Sequence, residues 1–201
     1  PVCRVAFVAD PSVARDPLFA QVLKRRTNRK AYEPTPITDS EAAGFKSAMA
    51  QLPVQFGWTA DRRQIADLTV IAKRAWMIEV NKDATYYESV KVYRVTGPEI
   101  LKHRDGLSFH GPFFWWLDAT GLFSKERASG GDEFLRQQSR DFIDDQIAHT
   151  PAFGWIATTA NDRRIQLAAG AAYVRANLKA TELGLAVQPL SQALQEFPEM
   201  L

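Results

Sequence analysis

The 201-residue chain holds one cysteine, Cys3, and three histidines, His103, His110 and His149. A single thiol excludes an intrachain disulfide and any cysteine-rich zinc centre, and it leaves the redox compartment open. The histidines are read as joined neither to one another nor to a carboxylate at the helical spacings that metal ligands use, so a resident metal is not expected. The chain lacks a G-x-S-x-G elbow, a G-x-G-x-x-G turn and a Walker phosphate loop, which removes the common hydrolase and nucleotide-binding routes. Long apolar runs are missing too. The most apolar stretch, Phe113 to Leu117, ends at Asp118, far short of the roughly 20 residues a membrane span requires. Charge of one sign is also scarce: 25 Lys and Arg against 23 Asp and Glu leave a net +2, too weak a field to argue for nucleic acid or an acidic membrane. Any anion site must therefore be local.

What is present suffices for a core. Hydrophobic residues make up 46% of the chain and aromatics 11%, enough for one globular domain that buries roughly 70% of its unfolded surface. Val2 to Val8 reads as a strand. Asp16-Pro17 opens a helical stretch carrying Leu18, Val22 and Leu23 on one face, followed by Lys24-Arg25-Arg26. Thr38-Asp39-Ser40-Glu41 is a capping-box pattern, after which Ala42, Phe45, Met49 and Leu52 recur at helical spacing until Pro53. Val54, Phe56 and Trp58 alternate as one face of a strand. Helices are predicted over Asp61 to Glu79, with Ile65, Leu68, Ala72 and Ala75 as the stripe, and over Thr85 to Val95, stopping at Gly97-Pro98. Periodicity then weakens, and 100–131 reads as an excursion or lid. Glu133 to Ile147 is a further helix, and Ala152 to Ala160 a short buried strand. The longest helix places Leu167, Ala171, Val174 and Leu178 on its core face and Arg175, Lys179 and Glu182 outside, with Gly184 as its left-handed terminator. The pattern is that of a helix-rich α+β domain. No basic n-region and apolar core of a signal peptide follow Pro1, and the abrupt ends suggest a piece of a longer protein.

Five of the seven residues Lys24 to Lys30 are basic. Three readings fit such a run: a solvated loop, a nucleic-acid patch short of the aromatics needed for base stacking, or a phosphate cradle in which Arg25 or Arg26 converges with Arg29. The aromatic stretch around Phe113 to Trp116 suits a core or domain contact, or a cover over a planar ligand. Gly184 to Gln192 can be an ordinary connection, or a turn whose small residues, proline and amide or hydroxyl groups meet a flat ring edge. No catalytic acid or base stands out.

Three blocks in order, KRRTNRKAY from Lys24, HRDG from His103 and LAAGAAYVRANLKATELGLAVQPLSQ from Leu167, resemble the flavin-binding nitroreductase superfamily. The likeness is to the branch of twin-arginine-signal and dormancy-associated mycobacterial nitroreductase-like proteins. The resemblance implies the FMN-dependent nitroreductase fold, with helices around a small, mainly antiparallel sheet spanning residues 1–201. It implies FMN held by Arg25, Arg26, Thr27 and Arg29 at the phosphate and ribityl chain, and by Gln188, Pro189 and Ser191 at the ring. Thr27 replaces the usual serine and keeps its hydroxyl. The activity implied is NAD(P)H-dependent reduction of a nitroaromatic, quinone or similar small acceptor through the flavin. A flavin-sequestering protein with little turnover and a cofactor-less interaction module are the alternatives. The upstream Pro-Ser-x-x-Asn-x-Gln-Pro-Trp segment and the final phosphate-proximal arginine of the branch are absent from these residues. The implied partner is accordingly an N-terminal half or a second subunit, as a pseudo-dimer or dimer, with no nucleic acid and no membrane insertion. Localisation stays open between cytoplasmic and, if the longer chain carries a twin-arginine signal, periplasmic.

Overall fold

In a computed structural model, which describes residues 4–103, 105–109, 111–195 and 198–200, the chain is α+β, about 54% helical with a small two-stranded antiparallel sheet. In chain order the elements are α1 (Asp39–Ala48), β1 (Gln55–Thr59), α2 (Arg62–Asn81), α3 (Asp83–Lys91), β2 (Tyr93–Arg94), α4 (Gly97–Lys102), β3 (Leu107–Ser108), α5 (Pro112–Ala119), α6 (Lys125–Ser129), α7 (Glu133–Ile147), β4 (Phe153–Ala157) and α8 (Arg163–Glu182). Short 3-10 turns cover Pro17–Gln21, Gln192–Leu194 and Pro198–Met200. Two compact units result: one of Pro1–Asn28, Ile37–Trp58 and Gly154–Gln188, the other of Arg29–Pro36, Thr59–Phe153 and Pro189–Leu201.

The first unit is assembled on α8. Asp162 caps that helix by accepting the Ile165 N–H at 2.9 Å, and α1 and the 3-10 turn at Pro17–Gln21 pack along it. Of the four core positions predicted on α8 only Leu178 is buried; Ile165, Ala172 and Ala180 take the inward side while Leu167, Ala171 and Val174 face out. The reason is a polar anchor. Arg175, expected outside, donates from Nε to the Ala48 carbonyl and from Nη1 to Asp16 at 2.5 Å each, and this fixes the rotation of an alanine-rich helix that would otherwise offer two similar apolar stripes. The capping box at α1 forms as predicted: Glu41 N–H donates to Thr38 Oγ1 at 3.2 Å and Thr38 N–H to Glu41 Oε2 at 2.7 Å. The helix ends at Ala48, short of Pro53, with Ala42 and Met49 buried.

The turn at Pro17–Gln21 is shorter than the helical stretch read from the sequence. Asp16 accepts the Leu18 N–H at 2.8 Å and Leu18 is buried, but the turn stops at Gln21, so Val22 and Leu23 remain exposed. Val2 and Cys3 lie outside the described residues, and residues 4–8 of the predicted opening strand join no ladder; Phe7 is 98% exposed. β1 and β4 pair with each other alone. Trp155 lies over Gly57, where a Cβ would come within 2.4 Å of the indole, and Phe56 lies over Gly154, where one would come within 3.2 Å of the ring. With a single neighbour, β4 is half-exposed rather than buried as its apolar run predicted.

In the second unit α2, capped by Asp61 accepting the Gln64 N–H at 2.9 Å, packs on α7. The Trp76 indole N–H donates to the Ser139 carbonyl at 2.7 Å. Val80, Tyr86, Val90, Tyr93, Val95, Ala128 and Leu135 form the core, and Leu107, Phe109 and Phe123 pack against it from the 100–131 segment. Gly97-Pro98 opens α4 instead of closing α3, because Thr96 accepts the Glu99 N–H at 3.2 Å and Pro98 sits where a helix needs no N–H. β2 and β3 pair in parallel, so the mainly antiparallel expectation holds for the β1–β4 pair alone. Gly106 makes that parallel pairing possible: at φ +74° it leaves room for the Val92 carbonyl, which a Cβ would approach to 2.2 Å.

Candidate functional site

The basic run leaves the turn at Gln21 with the Lys24 and Arg25 N–H groups both donating to the Gln21 carbonyl, at 3.0 and 2.9 Å. Arg26 folds back, its Nη1 donating to the carbonyls of Leu23 at 3.1 Å and Arg25 at 2.7 Å. The chain then extends, and Thr27 forms an isolated parallel bridge with Val187, in which the Asn28 N–H donates to the Val187 carbonyl at 2.9 Å. Val187 reaches that position because α8 ends abruptly. Gly184 adopts φ +72°, the Leu185 N–H donates to Ala180 at 2.8 Å and the Gly184 N–H to Thr181 at 3.3 Å, the pair of bonds that terminates a helix and redirects the chain.

Within the first unit, therefore, Thr27, next to Arg25 and Arg26 in the chain, pairs with Val187, the residue before Gln188, although about 160 positions of sequence separate the two. Arg25, Arg26 and Thr27 are exposed and Gln188 is partly buried. Arg29, Pro189 and Ser191 belong to the second unit. There Arg29 is half-buried, its carbonyl accepts a long 3.4 Å bond from Gln146 Nε2, and burial pulls its guanidinium below the ordinary pKa. Among the described residues no carboxylate pairs with Arg25, Arg26 or Arg29, in contrast to Arg94, Arg127, Arg136, Arg140 and Arg175. Pro189 and Ser191 are exposed.

Sequence reading missed the two residues that position this region, Asp16 and Arg175. The signal was an isolated arginine on the small-residue side of α8, two turns before the helix end. The HRDG block has a local structural role in the second unit: Asp105 pairs with Arg94 at 3.0 Å, which holds its carboxyl below the usual range, and Gly106 supports the β2–β3 pair; Arg104 lies outside the described residues, as does His110. Glu99 stands four residues before His103, yet its carboxylate serves Lys125 at 2.8 Å and the Val95 N–H at 3.0 Å. Among the described residues no group of three His, Cys, Asp or Glu could hold a metal, and no helix is long and apolar enough to cross a membrane.

The aromatic stretch divides its side chains. Phe114 meets Phe109 and Phe123 with ring centroids 5.3 and 6.0 Å apart, while Phe113, Trp115 and Trp116 are more than half exposed. Shallow clefts among the described residues include two. One of about 280 Å³ in the first unit is lined by Leu52 to Gln55 and Ala157 to Thr159; one of about 290 Å³ in the second includes Val95, Glu99, Asp118 and Lys125. Neither contains a predicted site residue. No protein-family model, curated protein or solved structure matches the chain.

Proposed function

We propose that this chain is the flavin-binding part of an FMN-dependent NAD(P)H oxidoreductase of the nitroreductase kind, the fold included. The observation that supports the reading is the isolated Thr27–Val187 bridge, which brings Thr27 of the arginine-rich run next to the residue before Gln188. Those are the two segments that the resemblance assigns to the phosphate and the ring edge of one cofactor.

The charge chemistry fits a phosphomonoester. A partly desolvated guanidinium with no carboxylate partner carries an uncompensated solvation cost, and a dianion relieves it through charge-assisted, bidentate hydrogen bonds. Arg29, in the second unit, is such a group; Arg25, exposed in the first, is assigned to the phosphate by the resemblance. Arg26 spends one nitrogen on capping carbonyls and keeps its other donors available. Thr27 offers a hydroxyl to a ribityl chain, and Gln188 and Ser191 offer an amide and a hydroxyl to ring heteroatoms. Bound FMN would supply the hydride-accepting ring and the electron transfer to the acceptor. The residues here bind and orient it.

The test is uptake of FMN by the purified protein, followed as quenching of flavin fluorescence and as reduction on anaerobic addition of NADH or NADPH. Arg29→Ala is expected to weaken FMN binding at least tenfold, the order of one charge-assisted contact, and to leave lumiflavin, which has no phosphate, unaffected. No FMN uptake by the protein overturns the reading. FMN uptake without bleaching by either nicotinamide identifies the flavin-sequestering alternative.

A further inference from the structure

In the second unit one half-buried carboxylate pairs with no cation among the described residues. Glu79, in the last turn of α2, is half-buried, and its Oε1 lies 3.4 Å from the Ser89 hydroxyl and its Oε2 3.4 Å from Gln195 Nε2. The Gln192 side chain also donates to it. The groups around it are those hydroxyl and amide donors, the phenol of Tyr93, and Glu88 on α3, which adds a second negative charge. One turn further along α2, Lys82 is already engaged with Glu199 at 2.6 Å. From α7 the nearest polar side chains, Ser139 and Arg136, attend to Tyr86 and Tyr93 and, for Arg136, to Asp83 at 2.7 Å. Gln195 completes the picture. Its amide nitrogen reaches Glu79, while its Oε1 is buried and has no hydrogen-bond partner among the described residues.

A carboxylate cannot satisfy that oxygen, but a carboxylic acid can. We propose that Glu79 and Gln195 form a proton-gated latch, an acid–carboxamide pair that holds residues 190–195 on α2 when Glu79 carries a proton and releases them when it does not. In the closed form the acid O–H donates to Gln195 Oε1 while Gln195 Nε2 donates to the other carboxyl oxygen, closing a two-bond ring and filling the unmet acceptor. In the open form the lone pairs of an anion face a buried carbonyl and the negative charge of Glu88, and only the donor contacts from Ser89, Gln192 and Gln195 remain. Burial raises the Glu79 pKa above its ordinary value, in keeping with this preference. For a raised carboxyl the docked state is favoured fully below the unfolded glutamate pKa and loses that advantage as pH rises through the folded value.

The latch is independent of any flavin and is tested on the protein alone. The Leu194 and Gln195 amides donate to Ser191 and Gln192 at 2.9 and 3.2 Å, so their hydrogen exchange reports docking. After correction for the intrinsic pH dependence of exchange, their protection is expected to fall by about tenfold for each unit by which the Glu79 pKa exceeds that of an unfolded glutamate. Glu79→Gln keeps the shape and the donor to Gln195 Oε1, so it is expected to hold protection constant across the same range. Gln195→Met removes both bonds and is expected to leave residues 190–195 weakly protected at every pH. Equal pH dependence in the wild type and Glu79→Gln, or a Glu79 carboxyl resonance that titrates at the ordinary glutamate pKa, overturns the proposal.

Discussion

The two units solve the problem of burial differently. The second gathers aromatic and branched side chains from four helices and two short strands into one cluster, with Val90 fully buried, and rims it with ion pairs such as Lys73–Asp144 at 2.5 Å and Lys125–Glu99 at 2.8 Å. The first is built of small residues on α8, a two-stranded sheet and an arginine tether, and it leaves Phe7, Leu23, Trp155, Leu167 and Val174 in solvent. A two-stranded sheet is marginal by itself, so polar anchors rather than core volume specify this unit. The unit with the thinner core carries the basic run from Lys24 to Asn28 and the strand that bridges it. Apolar surface left open in this way is common at sites that meet a ligand or another chain.

The contrast can be broken most severely at the few large side chains the first unit does bury. Met49→Ala is expected to cost about 3 kcal/mol, transfer and cavity terms together, read by urea unfolding with Trp58 or Trp155 fluorescence. In the second unit Val90→Ala is expected to cost about 2 kcal/mol, since two buried methyl groups go and the dense cluster cannot collapse around the gap; loss of Tyr86 and Tyr93 near-ultraviolet dichroism is the reporter. Thr38→Ala removes one half of a capping box and is expected to cost about 1 kcal/mol in the first unit. Val174→Ala sharpens the comparison from the other side. At 51% exposure it is expected to change stability by less than about 0.5 kcal/mol, and a larger loss would mean that this side of α8 is covered in solution. Towards acid, Glu99 and Asp105, both held below their usual range by Lys125 and Arg94, stabilise the second unit above the unfolded carboxyl pKa and lose that contribution as pH falls through their folded values. Glu79 runs in the opposite sense.

Much of the fold was legible locally. Thr38 and Glu41, the stripe from Ile65 to Ala75, the Glu133–Ile147 helix and the Gly184 terminator all follow from contacts within a few residues of one another, and each is found. Three readings failed for one shared reason: periodicity says that a side chain has an apolar face, not which neighbour meets it. The alternation of Val5 and Phe7 has no strand to pair with among the described residues, the apolar run of β4 has a partner on one edge only, and the small residues of α8 allowed two rotations until Arg175 met Asp16. At the candidate site the basic residues were visible as composition. The pairing of Thr27 with Val187 was not, because a parallel bridge across so long a separation leaves no mark in either segment.

By itself the sequence determined where α1 begins and where α8 ends, because a capping box and a left-handed glycine act on the backbone within one turn. It also determined that an anion site would have to be local, and it made Lys24 to Lys30 the densest run of positive charge in a nearly neutral chain. Tertiary structure alone decided which face of α8 is inside, that Thr27 pairs with Val187, that Arg29 is half-buried with no carboxylate partner among the described residues, and that Glu79 meets Gln195. Each of those depends on long-range closure of the chain, whose free energy is settled by packing and desolvation rather than by any local preference.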